Sequence, residues 1–67
     1  MREQFLTALR AYYTGNIEKH KMNIENLIRN NVGVAEHPDH IETVAKEIHS
    51  LANFDEQLQM LDKYFKE

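Results

Sequence analysis

The chain has no cysteine and no tryptophan, and only one proline, two glycines and one serine in 67 residues. Without thiols there are no disulfides and no thiolate-held metal. Gly15 and Gly33 alone cannot build the glycine-rich loop that cradles a phosphate. Ser50 lies in no nucleophile motif, and the four histidines form no HExxH pair. No apolar run approaches the roughly 20 residues of a membrane-spanning helix, so no membrane partner is expected. The start Met1-Arg2-Glu3-Gln4 carries an early acid and no apolar core after it, unlike a secretory leader. A cytoplasmic setting is therefore the expectation. There is no alternating β pattern, no internal repeat and no low-complexity tract.

What is present is 42 % hydrophobic and 28 % charged residues, a balance that suits a folded domain over 1–67. Chains of this size bury only about 60 % of their unfolded surface and usually need a staple. With disulfides excluded, oligomerisation is the staple to expect. The net charge of −3 is unevenly placed. Residues 1–31 hold five basic and three acidic side chains, a net +2, and residues 32–67 hold three basic and eight acidic ones, a net −5. Opposite signs favour pairing the first half with the second. The acidic total weighs against a protein devoted to gripping phosphate backbone.

Apolar residues recur at Leu6, Leu9, Tyr13, Ile17, Ile24 and Ile28, with His20 in the one gap, which predicts a helix over about 2–31. Gly15 interrupts its composition. The helix either runs on through Gly15, with or without a mild kink, or breaks there with Asn16 as a new cap. Asn30-Asn31-Val32-Gly33 reads as a helix end and Pro38 as a helix start, with His37 as the cap and Asp39 and Glu42 near the positive end of the dipole. A second helix over about 38–66 has the seam Ile41, Val44, Ile48, Leu51, Phe54, Leu58, Leu61 and Phe65. Glu25–Arg29, Glu42–Lys46 and Asp62–Lys66 are spaced for intrahelical ion pairs. The fold class is thus all-α, an antiparallel two-helix hairpin. If it folds back at residues 34–35, facing residue numbers sum to roughly 69.

A hairpin buries only the stripe between its helices. Five of the six aromatics lie near the chain ends, with Phe54 farther in. The expected self-association surface is Phe5, Leu6, Leu9, Tyr12, Tyr13, Phe54, Leu58, Leu61, Tyr64 and Phe65. Its expected product is a homo-oligomer, a dimer forming a four-helix bundle. A different protein chain is the second kind of partner this surface suits.

His37 and His40 straddle the predicted helix start, and His20 and His49 also sum to 69. Either pair, with Glu36 or Asp39, contains residue types that hold zinc or nickel. Two histidines do not complete a coordination shell, and helix-start and seam roles account for all four. The expectation is no metal, no cofactor and no catalytic residue. Glu36, Asp39, Glu42 and Glu47 read as a solvated helix face. Arg10, Lys19, Lys21 and Arg29, with Tyr12 and Tyr13, give helix one a basic face, and a nucleic-acid-binding accessory module is the alternative function.

Val32-Gly33-Val34-Ala35-Glu36-His37-Pro38-Asp39 lies between Gly15-Asn16-Ile17-Glu18-Lys19-His20-Lys21 and a helix ending Leu61-Asp62-Lys63-Tyr64-Phe65. Together they resemble a family of small uncharacterised proteins of marine T4-like cyanophages. The Val-Gly-x-x-Glu-His-Pro-Asp core is the specific part. The resemblance implies a viral or marine-metagenomic origin and an accessory or assembly role, and it assigns no residue a function. The expectation is a non-enzymatic helical hairpin that self-associates and acts through protein contacts.

Overall fold

The computed structural model describes residues 1–30 and 40–66. Two helices account for nearly all of them: α1, Arg2–Arg29, and α2, His40–Tyr64. No strand occurs among the described residues. The readings of Gly33, His37, Pro38 and Asp39 as helix punctuation lie outside the described residues.

α1 runs unbroken through Gly15. Asn16 starts no new helix; its Nδ2 donates to the Tyr12 carbonyl one turn back, at 2.9 Å. Glu3 lies in the first turn and Arg29 in the last, each with the sign that suits its end of the dipole. Asn30 closes α1 with its backbone N–H on the Asn26 carbonyl, and its φ of −110° is not left-handed. α2 carries Glu42 in its first described turn and Lys63 in its last.

The helices are antiparallel. At one end Arg2 Nη2 donates to the Phe65 carbonyl at 3.3 Å, and at the other His40 Nε2 meets the Leu27 carbonyl at 2.9 Å. The described body is a rod, 51 × 15 × 13 Å, with a radius of gyration of 15.5 Å. A compact chain of this length has a radius near 11 Å.

The seam differs from expectation in two places. On α2 the covered seam is His40, Val44, Glu47, Leu51, Phe54, Leu58 and Leu61, at alternating steps of four and three, with Ser50 and Asp62 half-buried on its flank. Ile41 and Ile48, expected inside, are 75 % and 50 % exposed. On α1 the covered residues are Leu6, Leu9, Tyr13, Ile17, His20, Ile24 and Leu27, with Asn16 beside them, and the expected Ile28 is 54 % exposed. The register agrees with the expected sum of roughly 69, since residues in contact across the helices sum to between 66 and 74. Arg2–Phe65, Tyr13–Phe54, His20–Glu47 and Leu27–His40 sum to 67, Asn23–Glu47 to 70 and Arg10–Asp62 to 72. This register sets Glu47 against His20 and His40 against a carbonyl of the last α1 turn.

The seam is thin. Leu61 is the one buried hydrophobic residue and His20 the one buried polar residue among those described, and no side chain is fully enclosed.

Candidate interaction surface

The ten residues expected to form the association surface divide into two groups. Leu6, Leu9, Tyr13, Phe54 and Leu58 are half-buried and Leu61 is buried, so these six hold α1 against α2. Phe5, Tyr12, Tyr64 and Phe65 are 54–65 % exposed. Met1 and Met60 are exposed too. The open end of the hairpin thus carries a wet apolar surface laid over a covered one. Phe5, Leu6, Leu9, Tyr13, Gln57, Met60, Leu61 and Phe65 line a shallow, mostly apolar groove between the two helices there.

Ring contacts tie this end to the middle of the rod. Tyr12 packs edge-on to Tyr13 and to Phe54, with centroids 5.4 and 5.9 Å apart. Phe54 in turn stacks on the His20 ring at 5.6 Å and 19°. His20 Nδ1 lies 2.6 Å from Glu47 Oε1, and Asn23 Nδ2 donates to the same oxygen at 3.1 Å. The carboxylate can only accept, so His20 Nδ1 carries the proton. These hydrogen bonds, from His20 first and Asn23 second, hold the Glu47 carboxyl below its ordinary value against the opposing effect of burial.

A second cross-helix pair joins Arg10 to Asp62. The hydrogen bond to Arg10 holds the Asp62 carboxyl below the usual aspartate range, and the charges of Arg10 and Lys66 add to it. Asp62 was expected to pair with Lys66 along its own helix. It reaches across to Arg10 instead, because the sequence spacing of an i,i+4 pair takes no account of what the other helix presents. The expected Glu25–Arg29 pair forms at 3.3 Å.

His49 does not meet His20. It is exposed, its Nε2 accepting from Asn53 Nδ2 at 3.3 Å on its own helix, while His20 faces Glu47. Their numbers set the two at one level of the rod, but His49 lies on the exposed side of α2. His40 donates through Nε2 to the Leu27 carbonyl, so it caps the end of α1. Glu36, His37 and Asp39 lie outside the described residues. Among those described, no three His, Asp or Glu side chains gather as a metal site would need.

The basic face of α1 is largely occupied by its neighbours. Arg10 pairs with Asp62, Lys21 with Glu18 at 3.2 Å, and Arg29 with Glu25. Among the described residues no helix is long and apolar enough to cross a membrane.

Sequence reasoning missed Glu47 as the partner of His20. The available signal was the histidine itself, a polar side chain in the one gap of an apolar series, which needs an acceptor on the opposite helix. No protein-family model, curated protein or solved structure matches this chain.

Proposed function

We propose that the protein is a non-enzymatic helical hairpin that self-associates, a dimer forming a four-helix bundle, and that it acts through protein contacts. One observation carries this reading: a single hydrophobic residue is buried while ten large ones are exposed among those described. A compact 7.9 kDa protein exposes about 4,400 Å². This chain exposes 5464 Å², an excess of about 1,000 Å², against the roughly 800 Å² each partner gives up in a stable interface. The exposed aromatics of the open end, Phe5, Tyr12, Tyr64 and Phe65, are the contact surface of this reading. The resemblance to cyanophage proteins extends it to an accessory or assembly factor in the cytoplasm of the infected host.

The experiment is sedimentation of the wild-type chain and of a Phe5→Ser/Tyr64→Ser variant. The wild type sediments as a dimer or larger species, and the double variant associates at least about tenfold more weakly, whereas Arg29→Ser or Lys46→Ser changes little. A strictly monomeric wild type at high concentration overturns the proposal.

A further inference from the structure

Helix α2 carries a second seam that the hairpin does not use. The first, through Val44, Glu47, Leu51, Phe54, Leu58 and Leu61, faces α1. Beside it Ile41, Ala45, Ile48 and Ala52 follow one another at steps of four, three and four, which is again one face of a helix in heptad spacing. All four are exposed. Toward α1 the strip continues into a shallow groove lined by Ile17, Ile48, Leu51 and Ala52 and edged by Lys21 and Asp55. Past Ala52 the same face turns polar at Asp55, so the apolar strip spans about two heptads and then stops.

We infer that this strip is an interface between two copies of the chain, with α2 lying antiparallel to α2 about a two-fold axis between Ala45 and Ile48. The occupant follows from the order of large and small side chains. In an antiparallel pair centred there, Ile41 of one copy stands opposite Ala52 of the other, and Ala45 opposite Ile48. Every layer then holds one large and one small side chain, the spacing between the axes stays uniform, and no void opens. A parallel, in-register pair sets isoleucine against isoleucine and alanine against alanine, so wide and narrow layers alternate. A two-fold interface must be complementary to itself, and this strip is. The flank agrees. On the side away from α1, Glu42 of one copy faces His49 of the other, twice across the axis, and each pair sets a carboxylate acceptor against an imidazole. His49 Nε2 accepts from Asn53, which leaves Nδ1–H as the ring's donor. This interface lies apart from the aromatic end and involves none of the residues placed there. A hairpin with both surfaces occupied assembles beyond a dimer.

The test swaps the two side chains that meet at the axis. Ile48→Ala removes the large partner of Ala45 in both layers and is expected to weaken association at least about tenfold. Ala45→Ile sets isoleucine against Ile48 and is expected to weaken it as well, although it makes the surface more apolar. The double variant Ala45→Ile/Ile48→Ala reverses the pair and is expected to recover most of the loss. Circular dichroism confirms that each variant keeps its helices. Because the chain has no native cysteine, a single spin label at Glu56→Cys reports the direction of pairing. The antiparallel arrangement places the labels roughly 30 Å apart, at 1.5 Å of rise per residue from the axis, and a parallel one roughly 10 Å apart. If Ala45→Ile strengthens association, if Ile48→Ala leaves it unchanged, if the double variant fails to recover, or if the labels sit near 10 Å, the inference is overturned. Loss of association in Phe5→Ser/Tyr64→Ser with none in Ile48→Ala overturns this seam and leaves the aromatic interface standing. A monomeric wild type overturns both.

Discussion

A histidine in the middle of an apolar seam is a costly choice unless it is answered, and His20 is answered by Glu47 and stacked on Phe54. The pair fixes which residues face each other more firmly than leucines do, since sliding α2 by one turn leaves both groups unsatisfied. His20→Ala is therefore expected to lower the melting temperature, and His20→Leu with Glu47→Leu to restore it while loosening the register. Melting curves with a cross-helix distance probe check both. A double variant that keeps one sharp register would show that the seam, and not the polar pair, sets it. Acid acts on the same groups. In the folded chain Glu47 and Asp62 are held below the ordinary values of 4.5 and 3.8. Their contribution is therefore complete above those values and is lost as the pH falls through the lowered ones. The melting temperature should drop on acidification below about pH 4.5, with a shallower drop in Glu47→Gln. A melting temperature that holds or rises there contradicts the assignment. His40 offers a third test. Removing its hydrogen bond to the Leu27 carbonyl in His40→Ala should cost about 1 kcal/mol, read by urea denaturation.

The two helices and their antiparallel direction were legible because each half carries its own helical apolar period and a short connection leaves two long helices an antiparallel course. Which stripe of α2 turns inward was not. Ile41-Ala45-Ile48-Ala52 and Val44-Leu51-Phe54-Leu58-Leu61 lie side by side on one broad apolar face, and period alone does not choose between neighbours. The choice falls to His20 and His40, whose partners sit on the other helix and leave no trace in local spacing. Leu27 replaces Ile28 in the seam for the same reason. The interior of α1 makes a cleaner element-level prediction. A Cβ added at Gly15 meets nothing within 4 Å, so the position is open and helical. Gly15→Ala should stabilise the chain by about 1 kcal/mol, a rise of roughly 4–8 °C in melting temperature. A fall would mean that the glycine serves a close approach to another chain.

At the scale of the whole molecule, a rod this thin has little interior of its own. Among the described residues Leu61 is the best-covered hydrophobic one, and Leu61→Ala should cost about 2–3 kcal/mol, a large share of the stability two helices can muster. The aromatic end was legible in the sequence because five of six aromatics sit near the chain ends. Its division into six residues that close the hairpin and four that stay wet needed the register. If the wet surface and the second α2 seam are covered by other copies, folding and assembly are one event, and the melting temperature must rise with chain concentration. Sedimentation equilibrium of the untagged chain from micromolar to millimolar concentration tests this most directly. The account predicts masses at or above twice 7.9 kDa that increase with concentration; a single folded species of 7.9 kDa throughout would contradict it.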